Sequence, residues 1–306
     1  MASLLTNASA QTALQTLSSI AKSMDVVQSR VSTGLKVGEA ADNAAYWSIA
    51  TTMRSDTAAL ATVKDALGLG AATVDVQYTA LNATVGIMTE IKAKLVAAAQ
   101  PGVDRTKIQA DITQLQGQLS TVANSSIFNG QNWLSVDSSA AGYSATKQIL
   151  SSFTRSSAGA VSVQTITVDI TNVALFDSGA GDGILDVDVT SGGTTANVST
   201  INISALTDSA ADMTTLAENT SIVETQLAAI TAAATQLGSA KKRIDLQKTF
   251  VTSLIDAFDR GIGQLVDADL DAESTRLKAI QVQQQLGIQA LQIANGNTQN
   301  ILSLFR

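Results

Sequence analysis

Large apolar residues recur along much of the chain at alternating steps of three and four residues, which is the spacing of a coiled-coil seam. The first run covers residues 10–31 and stops at Gly34. A second run covers residues 60–98 and stops at Pro101 and Gly102, which end helices. At about 1.5 Å per residue, this second run predicts a helix roughly 60 Å long.

Two further runs follow the same spacing, a short one over residues 108–122 and a long one over residues 223–265. The two long runs match in length, so we expect them to lie side by side in one antiparallel bundle. A last helix is predicted beyond residue 267, where acidic residues precede the apolar pattern as they do at helix N-termini.

The last helix carries apolar residues on two sides, which predicts more than one packing partner. The end of the chain is also apolar, although most domains have frayed polar termini there. One side of the helix is formed by Leu277, Ile280, Ile288, Leu291 and Leu302, another by Val282, Leu286 and Ile293, and the apolar end by Ile301, Leu302, Leu304 and Phe305.

The middle of the chain has a different pattern. Residues 161–170 and 185–189 alternate with a period of two and are separated by turns rich in serine, glycine and aspartate. We therefore predict a mainly α protein with a β-rich insertion. Both chain ends build a long antiparallel coiled-coil bundle, and a small outer β domain leaves the tip of this rod.

Composition narrows the possible functions. The chain has no cysteine and no histidine, which removes thiolate chemistry and the commonest general base and metal ligand. Of the net charge of −7, residues 140–219 account for −6, which argues against a nucleic-acid-binding face. The sequence predicts no membrane span and no cleaved secretory signal.

One acidic stretch resembles part of a calcium-binding loop. Asp267, Asp269 and Asp271 stand at the first three ligand positions of an EF-hand, but Ala272 replaces the invariant glycine and Lys278 replaces the final glutamate. We find no catalytic, cofactor or metal constellation and predict that the protein is not an enzyme.

Four stretches carry a resemblance to the bacterial flagellins. The N-terminal part contains "TNASAQTALQTL" and "SRVSTGLKVGEAADNAAYWSIATTMRS"; "SSIFNGQNWL" is similar to the segment that opens the family's short hairpin; and the C-terminal part contains "DADLDAESTRLKAIQVQQQLGIQALQIANGNTQNILSLF". Together they cover most of residues 1–139 and 220–306. The resemblance implies a subunit of the flagellar filament, which serves swimming motility.

The resemblance also implies a layout and partners. It divides the chain into an inner domain (1–45 with 267–306), a helical rod (46–139 with 220–266) and a variable outer domain (140–219). It implies a helical homo-oligomer, which related flagellins can share, and export through the flagellar type III apparatus with a chaperone. The mature protein is then extracellular and meets cap and hook-junction proteins, with no nucleic acid and no membrane insertion.

Two groups of site residues follow. In many flagellins a segment that matches residues 87–94 contacts an animal innate immune receptor; here Glu90 replaces an arginine and Lys94 replaces a leucine, so the contact should be repulsive. The residues expected at subunit interfaces are Leu14, Leu17, Ile20, Met24, Leu286, Leu291, Ile293, Ile301, Leu302, Leu304 and Phe305.

Two alternatives remain open from the sequence. A hook–filament junction protein would share the terminal helices and the export route but would not form long filaments alone. A coiled-coil signalling module of the chemoreceptor type would share the composition, but it would normally need a membrane span or a ligand domain and a continuous hairpin tip, which the acidic β insertion interrupts here.

Overall fold

A computed structural model of the chain describes residues 7–156 and 158–303. The elements, in chain order, are α1 (Ala8–Thr33), α2 (Ala44–Ala98), α3 (Arg105–Ser125), β1 (Ile127–Phe128), β2 (Gln131–Asn132), β3 (Ser135–Val136), β4 (Thr146–Arg155), β5 (Val161–Asp169), β6 (Phe176–Asp177), β7 (Val189–Ser191), β8 (Thr194–Ala196), α4 (Ala210–Val266) and α5 (Leu270–Ser303). The predicted fold class, mainly α with a small β-rich insertion, is confirmed.

The chain forms two compact units. The terminal unit contains the described residues up to Ala58 and from Ile255 onward, and the central unit is Ala59–Leu254. The predicted division into inner, rod and outer domains stays a prediction.

The terminal unit is held by α1, α5 and a small apolar cluster. Val37, Ala50, Ile262 and Val266 are buried together, with Leu35, Met53 and Leu265 packed against them. Helix α1 begins at Asn7, whose side chain accepts a hydrogen bond from the Ala10 amide. It ends at Gly34 with φ of 72°, a left-handed conformation that glycine adopts at low cost. The predicted stop at this glycine is confirmed.

The central unit is built on the predicted seams. In α2 every seam position from Leu60 to Ala98 is buried, including the polar Gln77 and Thr84. In α4 the seam positions of this unit are buried or half-buried. The ion pairs Lys92–Glu224 and Lys241–Asp75 connect the two helices. The buried stripe is narrow and repeats with the coiled-coil period. Long helices can therefore pack along it although the chain contains few aromatic residues.

The strands are short and paired two by two. Strands β1 and β2 form the predicted hairpin, with Asn129 and Gly130 at φ of 50° and 73° in its turn, as the Asn-Gly pair favours. Strand β3 pairs with β6 in parallel, while β4–β5 and β7–β8 are antiparallel. The insertion therefore has no large sheet among the described residues.

The position of the β4–β5 hairpin corrects the expectation that the insertion leaves the tip of the rod. The hairpin lies along the helices: Ile149 of β4 is seated against Gly70 of α2, where an added Cβ would come within 2.4 Å of the isoleucine. From α4, Gln247 donates to the carbonyl of Ser151, at 3.0 Å. A two-stranded hairpin is marginal alone, so it gains stability from this helical surface.

Gly70 gives a test of this seat. Gly70→Ala should destabilise the central unit by about 1–3 kcal/mol, because the new methyl group overlaps Ile149 in a packed site. The control is Gly68→Ala on the same helix, which meets nothing within 4 Å. It should stabilise the helix by about 0.5–1 kcal/mol through better helix propensity. Urea unfolding followed by circular dichroism measures the unfolding free energy of both variants. Equal changes in the two variants would exclude close packing of Ile149 against Gly70.

Candidate assembly surface

Helices α1 and α5 pack together in antiparallel orientation. At one end, Arg30 of α1 pairs with Glu273 near the start of α5, with 3.3 Å between Nη1 and Oε1. At the other end, the Asn7 side chain donates to the Ala294 carbonyl at 3.0 Å. The first helix of the chain therefore covers one face of the last.

The covered faces follow the predicted spacing. The α1 positions that are buried or half-buried include all seven of the first predicted seam, from Ala10 to Val31. On α5 they include Leu277, Ile280, Gly287 and Leu291. Gly287 keeps the helices close, since an added Cβ would lie 3.2 Å from a methyl group of Leu17.

Several predicted interface residues therefore lie in this seam within the chain. Leu17, Ile20, Met24 and Leu291 are half-buried between α1 and α5. These four side chains keep part of their surface accessible, so their role between subunits stays a prediction.

The opposite face of α5 is exposed and apolar. Val282, Leu286 and Ile293 follow one another at steps of four and seven residues, and Leu286 and Ile293 are 57% and 68% exposed. We call these three residues the α5 stripe. Ile288, which the sequence grouped with Leu277, is also exposed and borders the covered face instead of lying within it.

Leu14 of α1 is exposed as well and lines a groove of about 520 Å³ between α1 and Leu291. The remaining predicted residues cannot be placed in the same way. The side chains of Ile301 and Leu302, and Leu304 and Phe305 as a whole, lie outside the described residues.

Exposed apolar side chains are concentrated in the terminal unit. Of eighteen exposed large hydrophobic residues within the described part of the chain, ten lie in this smaller unit. Single exposed hydrophobic residues are normal, but a stripe with regular helical spacing indicates a surface that binds another molecule.

The Arg30–Glu273 pair was missed by the sequence analysis. Glu273 is only 9% exposed, and its Oε2 atom and Arg30 Nε have no hydrogen-bond partner within the described residues. A buried ion pair of this kind contributes little net stability but penalises other registers, which would leave a charge unpaired. The sequence does indicate that Glu273 faces α1, because Glu273 stands four residues before Leu277 on the same seam.

The predicted receptor segment lies on α2 in the central unit. Glu90 is exposed, and Lys94 Nζ pairs with Asp111 Oδ2 of α3 at 2.6 Å. The hydrogen bond and charge of Asp111 raise the pKa of Lys94 above its usual value, so this lysine stays charged. Position 94 therefore carries a positive charge, and this charge is paired with Asp111 within the chain.

Other site classes find no support in residues 7–156 and 158–303. No helix there is long and apolar enough to cross a membrane. In the same residues, no three acidic side chains lie close enough together to hold a metal ion.

Comparison with known proteins agrees with the two-part terminal pattern. The family model for the bacterial flagellin N-terminal helical region matches residues 4–139, and that for the C-terminal helical region matches residues 220–305. Flagellin C of Rhizobium meliloti (strain 1021) is 47% identical over 322 residues, and a flagellin of Brucella melitensis biotype 1 is 44% identical over 307 residues. Both alignments cover 100% of each chain.

Flagellin A of Rhizobium meliloti (strain 1021) is 41% identical over 396 residues, again over the whole of both chains. A crystal structure of Bacillus cereus flagellin is 17% identical, aligns with 62% of this chain and 88% of that chain, and has a TM-score of 0.40. The family models and the full-length relatives lead to one conclusion: the chain belongs to the bacterial flagellin family, and it is a structural subunit, not an enzyme, of the self-assembling filament that drives bacterial swimming.

Proposed function

We propose that the α5 stripe, Leu14 and the apolar chain end (Ile301, Leu302, Leu304 and Phe305) form the contacts between subunits in the filament. The observation that carries this proposal is the exposure of the α5 stripe on the side of α5 that α1 does not cover. Among the described residues, nothing in the same chain shields the α5 stripe or Leu14. A neighbouring copy would.

The α5 stripe is large enough to stabilise a contact between subunits. Burying a valine, leucine or isoleucine side chain contributes about 1.5–3 kcal/mol, so a stripe of three supplies several kcal/mol before ordering entropy is subtracted. When a contact joins two different surfaces of identical copies, it repeats by a screw operation and gives an open helical filament.

The half-buried residues of the seam would act in a second way. Leu17, Ile20, Met24 and Leu291 hold α1 against α5 and thereby fix the direction in which the α5 stripe faces. The groove at Leu14 is large enough to receive an apolar side chain of the next copy. We propose that the terminal helices reach their final packing only when neighbouring subunits cover both sides of α5.

We further propose that the chain is exported unfolded through the flagellar type III apparatus, with an export chaperone, and works outside the cell. Membership of the flagellin family supports this route, and so does the lack of cysteine, since no disulfide must form after export. The filament would meet hook-junction proteins at its base and a cap at its end. Related flagellins with similar terminal regions could enter the same filament.

The α5 stripe can be tested by one substitution. Leu286→Ser should raise the critical concentration for polymerisation of purified chain about tenfold or more, because each lost 1.4 kcal/mol of contact costs a factor of ten. Sedimentation of filaments from a concentration series measures this quantity. Negative-stain microscopy confirms that the pelleted material is filamentous.

The matched control is Leu69→Ser in α2 of the central unit, where the leucine is 50% exposed and also lies within a helix. Both changes lower helix propensity equally, and only the first removes a residue of the α5 stripe. An unchanged critical concentration for Leu286→Ser, or an equal rise in both variants, would exclude the stripe as a specific contact.

We also propose that this flagellin stimulates the animal innate immune receptor weakly or not at all. Glu90 places a negative charge where the family's arginine would bind, and Lys94 holds a positive charge beside it. A receptor site that accommodates an arginine would repel the negative charge of Glu90, and such repulsion between like charges suppresses binding.

Glu90→Arg combined with Lys94→Leu should therefore restore receptor stimulation by purified monomer, measured in a reporter cell line. Asp111, left without its lysine, is exposed and stays solvated, so the fold is preserved. Asp65→Arg, which makes the same change of charge as Glu90→Arg but at another exposed position of α2, is the control and should remain inactive. Strong stimulation by the unmodified chain would contradict the proposal.

A further inference from the structure

A groove with cationic walls lies between α1 and α5 in the terminal unit. Its volume is about 540 Å³. Three cationic side chains border it, Lys22 and Arg30 of α1 and Arg276 of α5, and the apolar lining comes from Val26, Val27 and Ile280. We call it the basic groove. Val26 is 47% exposed, so this lining is accessible from outside.

A second concave surface of about 500 Å³ begins on the other side of Val26 and carries the opposite charge. Its walls hold Asp25 of α1 together with Glu39 and Asp42 from the turn that follows α1. We call these three residues and the turn Gly38–Asp42 the acidic face.

The turn of the acidic face is structurally defined. Asp42 Oδ2 accepts hydrogen bonds from the amides of Gly38 and Glu39, at 2.9 and 3.2 Å, and the Asp42 amide donates to the Glu39 carbonyl at 3.1 Å. The two backbone donors hold the pKa of the Asp42 carboxyl below its usual value. Ala40 and Ala41, both exposed and small, form the outside of the turn.

Several charges of these two surfaces have no partner of opposite sign within the described part of the chain. Among the described residues, Lys22, Arg276 and Glu39 form no ion pair. Arg30, which lines both surfaces, is already engaged with Glu273. The terminal unit therefore presents a basic, partly apolar recess next to an acidic concave surface that is bordered by the exposed turn Gly38–Asp42.

We propose that the acidic face of one copy docks into the basic groove of the next copy in the filament. The inference rests on the assembly proposed above and adds a second, electrostatic contact to it. Lys22 and Arg276 of the groove match the carboxylates of the acidic face, and the alanines allow the turn to approach the apolar lining. We take the contact to be made head-to-tail, one groove and one acidic face for each pair of copies, as an open filament requires.

Electrostatic complementarity mainly sets the partner, the register and the rate of association. The docked turn would therefore select a correctly oriented second copy before the apolar contacts form.

Two charge-reversed variants test the proposal in the full chain. Lys22→Glu with Arg276→Glu makes both surfaces acidic, while Asp25→Lys with Glu39→Lys makes both basic and leaves Asp42 to hold the turn. Each variant alone should show a critical concentration for polymerisation at least tenfold above that of the unmodified chain. An equimolar mixture should return to within about threefold of it, because unlike copies can then alternate.

Lys278→Glu is the matched control. It reverses one charge, as each of the two substitutions in the acidic variant does, at an exposed position of α5 two residues from Arg276, and it does not line the groove. It should polymerise like the unmodified chain. The mixture also guards against misfolding, since two damaged variants cannot restore each other.

The docking is refuted if either variant alone polymerises normally, or if mixing gives no recovery. The first result is also the one expected if the groove binds another ligand and not a second copy. If Leu286→Ser impairs polymerisation while the charge reversals do not, the docking fails and the α5 stripe stands. The reverse pattern supports the docking and removes the stripe.

Discussion

The antiparallel contact between α1 and α5 is the constraint on which the terminal unit depends. Its seam is one residue wide at each helical turn, and at Gly287 the backbone of α5 comes close to Leu17. A narrow seam covers only one face of each helix. Among the described residues, no further helix of this unit covers the remaining apolar surface. Incomplete burial within one copy and assembly of many copies therefore have the same structural origin.

The Arg30–Glu273 pair gives this seam a defined register. Apolar seams with small side chains tolerate sliding by a heptad, because alanine and leucine positions repeat along them. A charged pair at one end does not tolerate it, since displacement would leave a buried carboxylate without its partner. All copies then present the same surface in the same direction, which a regular lattice of subunits requires.

Much of this could be predicted from the sequence, because seam spacing determines which helical positions are buried. The buried residues of α2 agree with this spacing. The end of α1 at Gly34 and the Asn-Gly turn after α3 agree with the predictions made from those residue types. The seat of Ile149 on Gly70 could not be foreseen, since a glycine within a heptad gives no sign of what approaches it. The exposure of Ile288 could not be predicted either, because it depends on how much of the α5 surface α1 covers and not only on the periodicity of α5.

The way in which the helices hold the insertion has a consequence for its variation. Side chains of α3 and α4 reach main-chain groups of residues 140–219: Gln247, Arg243 and Gln236 donate to carbonyls of the β4–β5 hairpin, Gln116 donates to the Val198 carbonyl, and Gln109 accepts from the Ile203 amide. Main-chain groups are the same for every amino acid. An insertion attached in this way can exchange most of its outward side chains and keep its anchorage, so its surface is free to diverge while the helices beneath it are not.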